Sequence, residues 1–225
     1  IKIHFRESGY TLYFDMLNAN DYGVAQDRKR VFFVGFREDL NIEHFSFPKP
    51  LEDKPTLKDS IWDLQESVVS ADSKNYSQNC CEIANHEYMV GGFSSMFMSR
   101  NRVRGWDEPS FTIQAGGRHA PLHPQAPKME KIEKDKQRFI EGSEHLYRRL
   151  SIRECARVQS FPDKHRFYYK NLAAGYKMVG NAVPPTLAFH IASSIKRSLR
   201  LGREKEESRT TNLFDYDNYT PSLQL

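Results

Sequence analysis

Residues 31–36 read VFFVGF, an uninterrupted run of β-branched and aromatic residues with charged residues on both sides. A short apolar run of this kind is typical of a strand that is buried on both faces of its sheet. Such strands occur in parallel sheets covered by helices. The sequence therefore predicts an α/β fold with a mixed, mostly parallel sheet.

Two helix starts are marked by capping boxes, in which a Ser or Thr side chain and an acidic side chain three residues later each bond the other's backbone. Thr56 with Asp59 forms the first pair, and Ser151 with Glu154 forms the second. We expect a short helix after each, and Pro162 should end the second helix because proline removes a backbone donor.

A third helix is predicted after Pro184 and Pro185, which pre-set the φ angle of a first turn. Apolar residues then recur at helical spacing, at Leu187, Ile191, Ile195 and Leu199. The sequence after Leu201 is polar, so we expect residues 202–225 to be a tail that is disordered in part.

The central third of the chain has no clear periodicity. Residues 67–143 mix Gly, Asn, Ser and Pro with short aromatic pieces, and a proline-rich connector at residues 47–55 lies upstream. This composition predicts a small irregular module of short strands and long loops, where binding residues tend to concentrate.

The chain is basic only on balance. Its 33 Lys and Arg residues exceed the 29 Asp and Glu residues by a formal charge of +4, with a pI near 8.9. The positive charge is concentrated in one part of the irregular module, at Arg100, Arg102, Arg104 and Arg118. Such a cluster is a candidate contact for phosphate groups or bases, and the alternative is a solvated surface.

The three cysteines, Cys80, Cys81 and Cys155, have none of the spacings of a zinc site, so we expect reduced thiols in a cytosolic protein and no metal. No apolar run approaches the roughly 20 residues of a membrane-spanning helix. The chain begins at Ile1 in what reads as the middle of a folded element, which we interpret as the sign of a fragment.

Four segments together resemble the later sequence blocks of the DNA cytosine-5 methyltransferase family, in the family's order. They are residues 18–35 (NANDYGVAQDRKRVFFVG), 97–127 (FMSRNRVRGWDEPSFTIQAGGRHAPLHPQAP), 147–163 (YRRLSIRECARVQSFPD) and 176–185 (YKMVGNAVPP). The resemblance implies the carboxy-terminal part of a Rossmann-like methyltransferase domain plus a small target-recognition domain. The boundaries that it implies are 1–66 for late strands of the catalytic domain, 67–146 for target recognition, 147–201 for the return to the catalytic domain and 202–225 for the tail.

The first segment is similar to the family's Gln-x-Arg-x-Arg block. The resemblance implies that Arg30 holds a cytosine rotated out of the duplex, that Arg28 orders the pocket and that Gln26 supports the loop. Without the resemblance, these residues read as a glycine turn with a few exposed charges.

The recognition segment is similar to that of the GGCC-specific, HaeIII-type modification methylases. Arginine suits guanine because its fork donates to both O6 and N7 in the major groove. The resemblance places guanine readers at Arg100, Arg102 and Arg118, while Arg104 is expected to make a backbone or structural contact. It also implies that Met96 packs into the gap left by the displaced base, whereas the alternative is a methionine of the core.

The aromatic residues Phe93, Phe97, Trp106 and Phe111 are interpreted as the module's core and not as platforms for base stacking. His119 and His123 are expected at turns on the surface, with a nucleic-acid contact open to His119.

The last two segments resemble a scaffold and a cofactor turn. Arg153, Glu154, Arg157 and Gln159 are expected to organise the recognition module, with any phosphate contact from Arg148 or Arg149 secondary. Gly180 is expected to permit a tight turn, and the resemblance implies that Asn181 and the backbone of Ala182 contact S-adenosyl-L-methionine.

The implied reaction is methylation at C5 of cytosine in double-stranded DNA, as the modification half of a restriction-modification system with a cognate endonuclease. The family's nucleophilic cysteine follows a proline, yet no Pro-Cys pair, no Glu-Asn-Val and no Phe-x-Gly-x-Gly loop occurs. We therefore expect an N-terminal catalytic half, either on the same polypeptide or as a separate subunit. Two alternatives are a non-catalytic DNA-binding module and methylation of transfer RNA, although Arg readout suits the major groove of B-form DNA.

Overall fold

The structure is a computed structural model that describes residues 2–71 and 81–216, with side chains described as far as residue 204. The chain divides into two compact units. The first comprises residues 1–16, 31–49 and 189–225, and the second comprises residues 17–30 and 50–188.

The first unit contains helix α1 (Lys2–Glu7) and most of a two-stranded sheet of β1 (Tyr10–Asn18) and β2 (Lys29–Arg37). The last two residues of β1 and the first two of β2 are assigned to the second unit. Val34 and Phe36 of β2 are buried. Phe36 packs on Phe45 with ring centroids 5.4 Å apart, and Tyr13 of β1 contacts both rings. This aromatic cluster is the core of the first unit.

The opposite face of the same sheet is open, which corrects the prediction of a strand buried on both faces. Val31 and Phe33 are 46% and 48% exposed, and Phe14 and Met16 on β1 are 47% and 62% exposed. The composition of β2 is that of a doubly covered strand, but the described residues bury only one of its faces. Within residues 2–71 and 81–216, each of the three sheets has two strands, so the larger parallel sheet stays a prediction.

The second unit is built from short elements. They are α2 (Leu57–Ile61), β3 (Val69–Ala71), β4 (Glu87–Met89), β5 (Glu130–Glu133), β6 (Lys136–Arg138), α3 (Ile152–Val158) and α4 (Leu172–Asn181). Strands β3 and β4 pair in parallel with Val69 opposite Glu87, and β5 and β6 pair antiparallel. Both units therefore combine helices and strands, and the fold is α/β.

Two apolar cores hold the second unit together. The larger packs α2, α3 and α4 around side chains such as Ile61, Ile152 and Tyr176. The smaller contains Phe97, Val103, Leu122, Ala126, Met129 and Tyr147. Phe97 is fully buried and Phe93 packs against it, so the interpretation of these two aromatic residues as core is confirmed.

Both capping boxes are confirmed. The carboxylate of Asp59 accepts a hydrogen bond from the backbone N–H of Thr56 at 2.8 Å, and Glu154 accepts from that of Ser151 at 2.7 Å. Helix α3 ends at Val158, before Pro162, because the chain reverses at Ser160, whose φ of +63° is left-handed.

Helix α4 is absent from the sequence prediction. Asn171 caps it by accepting a hydrogen bond from the backbone N–H of Ala174 at 2.9 Å. Leu172, Tyr176 and Val179 then lie on its buried face. A capping residue followed by apolar residues at this spacing is a helix signal, and two glycines within the segment mask it.

The last helix, α5 (Pro185–Tyr216), begins where the two prolines predict, but it continues well beyond the expected end near Leu201. Residues 203–207 read REKEE, which are strong helix formers, and Arg200 pairs with Glu204 at 3.4 Å one turn later. The expected disorder of residues 217–225 lies outside the described residues. No helix in the described part of the chain is both long enough and apolar enough to cross a membrane.

Candidate nucleic-acid interface

Arg28 joins three of the four segments that the sequence singles out. Its buried guanidinium group donates hydrogen bonds to the carbonyl oxygens of Ile113 and Gly180, each at 3.1 Å. Burial, and then the nearby charge of Arg30, lower the pKa of Arg28 from its ordinary value. The guanidinium nevertheless stays cationic, because the pKa of arginine lies far above neutrality.

Gln26 supports the same junction. Its side-chain oxygen accepts a hydrogen bond from the backbone N–H of Ile113 at 2.9 Å, and its backbone bridges to Ser110. Arg30, by contrast, has an exposed side chain and donates to the carbonyl oxygen of Lys29 at 2.7 Å. The structure therefore joins Gln26 and Arg28 as internal supports and leaves Arg30 facing solvent.

Gly180 lies in the last turn of α4, where the sequence analysis expects a tight turn instead. A Cβ atom at this position would lie 2.4 Å from the carbonyl oxygen of Gln114 and 2.6 Å from the backbone nitrogen of Ala115. Glycine is thus required by the close approach of two backbones and not by its own φ angle.

The proposed cofactor contacts, Asn181 and Ala182, come directly after Gly180 in the sequence. Asn181 is exposed at the end of α4, and the backbone N–H of Ala182 donates to the carbonyl oxygen of Val179 at 3.2 Å. The amide of Asn181 can both donate and accept, whereas Ala182 keeps only its carbonyl oxygen for a ligand. Their chemistry fits the polar edge of a cofactor such as S-adenosyl-L-methionine.

The proposed DNA-contacting residues line two neighbouring cavities of the second unit. Arg100 and Arg102 line a cavity of about 260 Å³ together with Gln114 and His119. Met96 and Arg118 line a second cavity of about 780 Å³, which His119 also borders. His119 thus marks the boundary between the two cavities.

Exposure separates these four residues. Met96 is 69% exposed, which excludes the alternative of a core methionine, and Arg100 and Arg118 are also exposed. Arg102 is buried, with Nε donating to the carbonyl oxygen of Phe97 at 2.8 Å and Nη2 to that of Met96 at 3.0 Å. Its guanidinium has five N–H donors, so these two bonds do not use all of them, and the residue lines the smaller cavity.

Of the two roles expected for Arg104, a backbone contact or a structural contact, its partners fit the structural one. It pairs with Glu108 at 3.1 Å and with Asp27 at 3.5 Å, and its guanidinium lies 4.3 Å from the ring centroid of Phe111. Hydrogen bonds to Glu108 from the backbone of Gly105 and from Lys128 and Arg104 lower its pKa to about 2.

Glu154 is the centre of a buried polar network in the 147–163 segment. Arg148 donates to both of its carboxylate oxygens, at 2.7 and 2.8 Å, and the backbone N–H of Ser151 donates as well. Burial alone would raise the pKa of Glu154, but the hydrogen bonds and the charge of Arg148 lower it. Arg153 is also buried and donates to the carbonyl oxygens of Ala84 and His165, so both side chains are internal supports, as a scaffold requires.

His123 is fully buried, which corrects the prediction of a surface position. Its ring packs edge-on against Trp106 at 5.2 Å, and its Nε2 lies 3.5 Å from the carboxylate of Glu154. Burial lowers the pKa of His123 to about 4, even though the charge of Glu154 opposes this shift. The imidazole is therefore neutral at physiological pH.

Three further residues of the 147–163 segment are buried. Arg148 is buried and bound to Glu154, which does not fit a phosphate contact, whereas Arg149 is buried but also lines the larger cavity beside Met96 and Arg118. Cys155 is also buried, and burial raises the pKa of its thiol well above the ordinary value, so it has none of the properties of a nucleophile. Among the residues that the structure describes, no cluster of His, Cys, Asp and Glu could hold a metal ion.

Comparison with known proteins agrees with the resemblance seen in the sequence. The family model for C-5 cytosine-specific DNA methylase matches residues 1–197. The Type II methyltransferase M.FnuDI of Fusobacterium nucleatum is 56% identical over 215 residues, which cover 94% of this chain and 62% of that protein. The Type II methyltransferase M.MthTI of Methanothermobacter thermautotrophicus is 60% identical over 195 residues, covering 87% of this chain and 59% of that protein.

The chain thus spans about 60% of the length of these curated relatives. Among solved structures, a DNA modification methyltransferase encoded within an E. coli prophage superposes with a TM-score of 0.61 at 17% identity. That match covers 86% of this chain and 62% of the other, and it shows the shared α/β methyltransferase fold.

Proposed function

Because the chain belongs to the C-5 cytosine-specific DNA methylase family, we propose that it reads double-stranded DNA at GGCC for a methyltransferase that modifies C5 of an extruded cytosine. Its relatives are Type II methyltransferases. The proposed biological role is therefore the modification half of a restriction-modification system, which protects host sites from a cognate endonuclease.

One observation carries the DNA-reading part of this proposal. The four residues proposed to contact DNA line two adjacent cavities that share His119, although Met96 and Arg118 are 22 positions apart in the sequence. Exposed Arg100 and Arg118 offer guanidinium donors for guanine O6 and N7, and Arg102 lines the smaller cavity beside Arg100. Exposed Met96 offers the apolar wedge for the vacated position in the base stack.

The remaining residues act on the extruded base and on the cofactor. Exposed Arg30 holds the O2 atom of the cytosine by a charge-assisted hydrogen bond, and Gln26 and Arg28 keep the surrounding loop in place. S-adenosyl-L-methionine supplies the methyl group when it is bound. Asn181 and the carbonyl oxygen of Ala182 hold one polar edge of that cofactor.

A partner half completes the proposed enzyme, since the sequence contains no Pro-Cys pair to supply the nucleophile. The open face of the β1–β2 sheet supports this part of the proposal. Phe14 and Phe33 lie side by side there, with ring centroids 5.9 Å apart, and both are about half exposed. An apolar sheet face of this kind is normally covered, and the N-terminal catalytic half is the proposed cover.

A second candidate function is sequence-specific DNA binding without catalysis. The missing nucleophile favours it, because every residue proposed to read DNA is present while the residue that attacks the base is not.

A methyl-transfer assay distinguishes the methyltransferase from the non-catalytic DNA-binding module. The chain is incubated with a GGCC duplex and labelled S-adenosylmethionine, alone and with a polypeptide that carries the Pro-Cys and glycine-rich blocks, and bisulfite sequencing locates the product. We expect no transfer alone and GGCC-specific transfer with the added half. Turnover by the chain alone would overturn the account of the catalytic parts, and salt-dependent GGCC binding with no gain from the added half would favour the binding module.

A further inference from the structure

The segment that carries Met96 is held at both ends by buried arginines. We call residues 89–97 the wedge loop. From one side, Arg149 donates to the carbonyl oxygens of Met89, Gly91 and Gly92, at 3.3, 3.1 and 2.9 Å. From the other side, Arg102 donates to those of Met96 and Phe97. Two guanidinium groups thus bind five backbone carbonyls of one loop.

At the start of the wedge loop, Met89 belongs to β4, its backbone N–H donates to the hydroxyl of Tyr176 at 3.2 Å, and that of Val90 donates to the carbonyl oxygen of Ala71 at 3.4 Å. The two glycines that follow are packed more loosely. Cβ atoms built on Gly91 and Gly92 would meet nothing within 4 Å, and Gly91 has a φ of +117°. Glycines in open space have high conformational freedom, which the loop must lose to adopt one shape. Hydrogen bonds donated by Arg149 to the carbonyl oxygens of Gly91 and Gly92 offset this loss.

Contacts between aromatic rings and Arg149 also support the wedge loop. The guanidinium of Arg149 lies 4.1 Å from the ring centroid of Phe93, and Phe93 packs on Phe97 with centroids 5.0 Å apart. Phe97, next to Met96, is fully buried in the smaller core. A continuous series of contacts therefore runs from Arg149 through Phe93 to the residue beside the exposed methionine.

We propose that Arg149 is a positioning residue for Met96, and that it sets the wedge loop so that the methionine side chain enters the gap left by an extruded base. This inference rests on the proposed function. An apolar wedge stabilises an unstacked duplex only if it is held rigidly at the right depth, because a mobile side chain loses entropy on insertion. Lysine could not replace Arg149, since one ammonium group cannot span three carbonyls and stack on a ring.

The matched comparison is Arg149→Lys against Arg153→Lys. Both arginines are buried, both belong to the 147–163 segment and both donate to backbone carbonyls, but Arg153 binds residues 84, 162 and 165 instead of the wedge loop. Hydrogen exchange of the backbone amides between residues 90 and 97 is measured in the chain without DNA. We expect exchange to accelerate by about tenfold or more in Arg149→Lys and not in Arg153→Lys. Equal exchange in the two variants would overturn the inference.

The proposed insertion of Met96 into the gap is tested with two GGCC duplexes, one intact and one with an abasic site in place of the target cytosine. The abasic duplex already contains the gap, so its binding does not require extrusion of a base. We expect the chain to prefer the abasic duplex by about tenfold, and Met96→Ala and Arg149→Lys each to remove most of that preference. The double variant should lose no more than either single variant.

The outcomes separate the two proposals. Met96→Ala changes an exposed side chain and keeps the fold, so it reports on the wedge even if Arg149→Lys unfolds. A preference that survives Arg149→Lys and falls with Met96→Ala would overturn the positioning role alone. Equal binding of GGCC and permuted duplexes by the unmodified chain would contradict the proposed function, while the exchange measurement would still decide the role of Arg149 in the loop.

Discussion

The guanidinium group of Arg28 donates a hydrogen bond to the carbonyl oxygen of Gly180 at 3.1 Å, across 152 positions of the sequence. The same group binds the carbonyl oxygen of Ile113, and Gly180 touches the backbone of Gln114. The end of α4, beside the proposed cofactor contacts, is therefore joined directly to the segment that leads to Arg118. One buried cation organises parts of the chain that are proposed to bind different ligands.

Replacing Arg28 should cost stability, whereas replacing Arg30 should cost only function. Arg28→Met removes two buried charge-assisted hydrogen bonds and leaves two carbonyls unpaired, so we expect a loss of about 2 to 3 kcal/mol in the free energy of unfolding. Arg30→Met changes an exposed side chain and should stay within about 0.5 kcal/mol. Urea denaturation measures both, and equal losses would contradict the different roles given to the two arginines.

Gly180→Ala should destabilise the second unit through backbone crowding. The new Cβ would lie 2.4 Å from the carbonyl oxygen of Gln114, which forces the two segments apart. We expect a loss of about 1 to 3 kcal/mol, as for other overpacked sites. The matched control is Gly92→Ala, where a Cβ meets nothing within 4 Å. Thermal unfolding of the two variants tests this, and a midpoint for Gly180→Ala no lower than that of Gly92→Ala would refute the close approach.

Stability should fall as the pH is lowered through the range in which an unfolded histidine gains a proton. The pKa of His123 is about 4 in the folded chain against 6.5 ordinarily, so between these values only the unfolded chain takes up the proton. The charged and titratable groups facing His123 are Glu154, Arg148 and His86, and burial lowers the pKa of His86 in the same direction.

His123→Phe should flatten this dependence, because it removes the titrating group and keeps an aromatic ring beside Trp106. We expect the slope of unfolding free energy between pH 6.5 and 4.5 to decrease by at most about 1.4 kcal/mol per pH unit. Below that range the lowered pKa of Glu154 adds its own loss as the carboxylate of the unfolded chain protonates first. Urea titrations at several pH values measure the slope, and an unchanged slope would show that His123 is not buried in its neutral form.

Arg100 and Arg104 should differ in their effect on DNA recognition. Arg100 is exposed in the smaller cavity, so Arg100→Ala should weaken GGCC binding by about 1 to 3 kcal/mol and relax the choice of base. Arg104 is occupied by Glu108 and Asp27, so Arg104→Ala should cost at most about 1 kcal/mol of stability and keep the sequence preference. Fluorescence anisotropy with GGCC and single-substitution duplexes distinguishes the two, and identical profiles would argue against base reading by Arg100.

Local signals in the sequence predict local structure well here. The capping boxes at Thr56 and Ser151 and the proline pair before α5 each mark a real helix start, because the interactions involved lie within a few residues. Helix α4 could also have been predicted from Asn171 and the spacing of Leu172, Tyr176 and Val179, had its glycines been discounted.

Burial and partner choice could not be predicted in the same way. Arg102 and Arg149 bind backbone carbonyls up to 60 positions away. Every residue has a backbone carbonyl, so the residue types in a sequence do not indicate which carbonyl an arginine binds. His123 reads as a surface residue because it is flanked by prolines, but the packing of Trp106 and Glu154 buries it. The open face of β2 depends on which residues cover the sheet, and that too is a property of partners distant in sequence.

The central claim is that this chain carries the DNA-reading surface of a cytosine-5 methyltransferase. Equilibrium binding of the chain to a GGCC duplex and to a CGCG duplex of the same length, at one fixed salt concentration, tests it most directly. The account predicts a preference for GGCC of at least about tenfold, which Arg118→Ala should reduce, as expected for guanidinium contacts with guanine. Equal affinity for the two duplexes, with the same salt dependence, would contradict it.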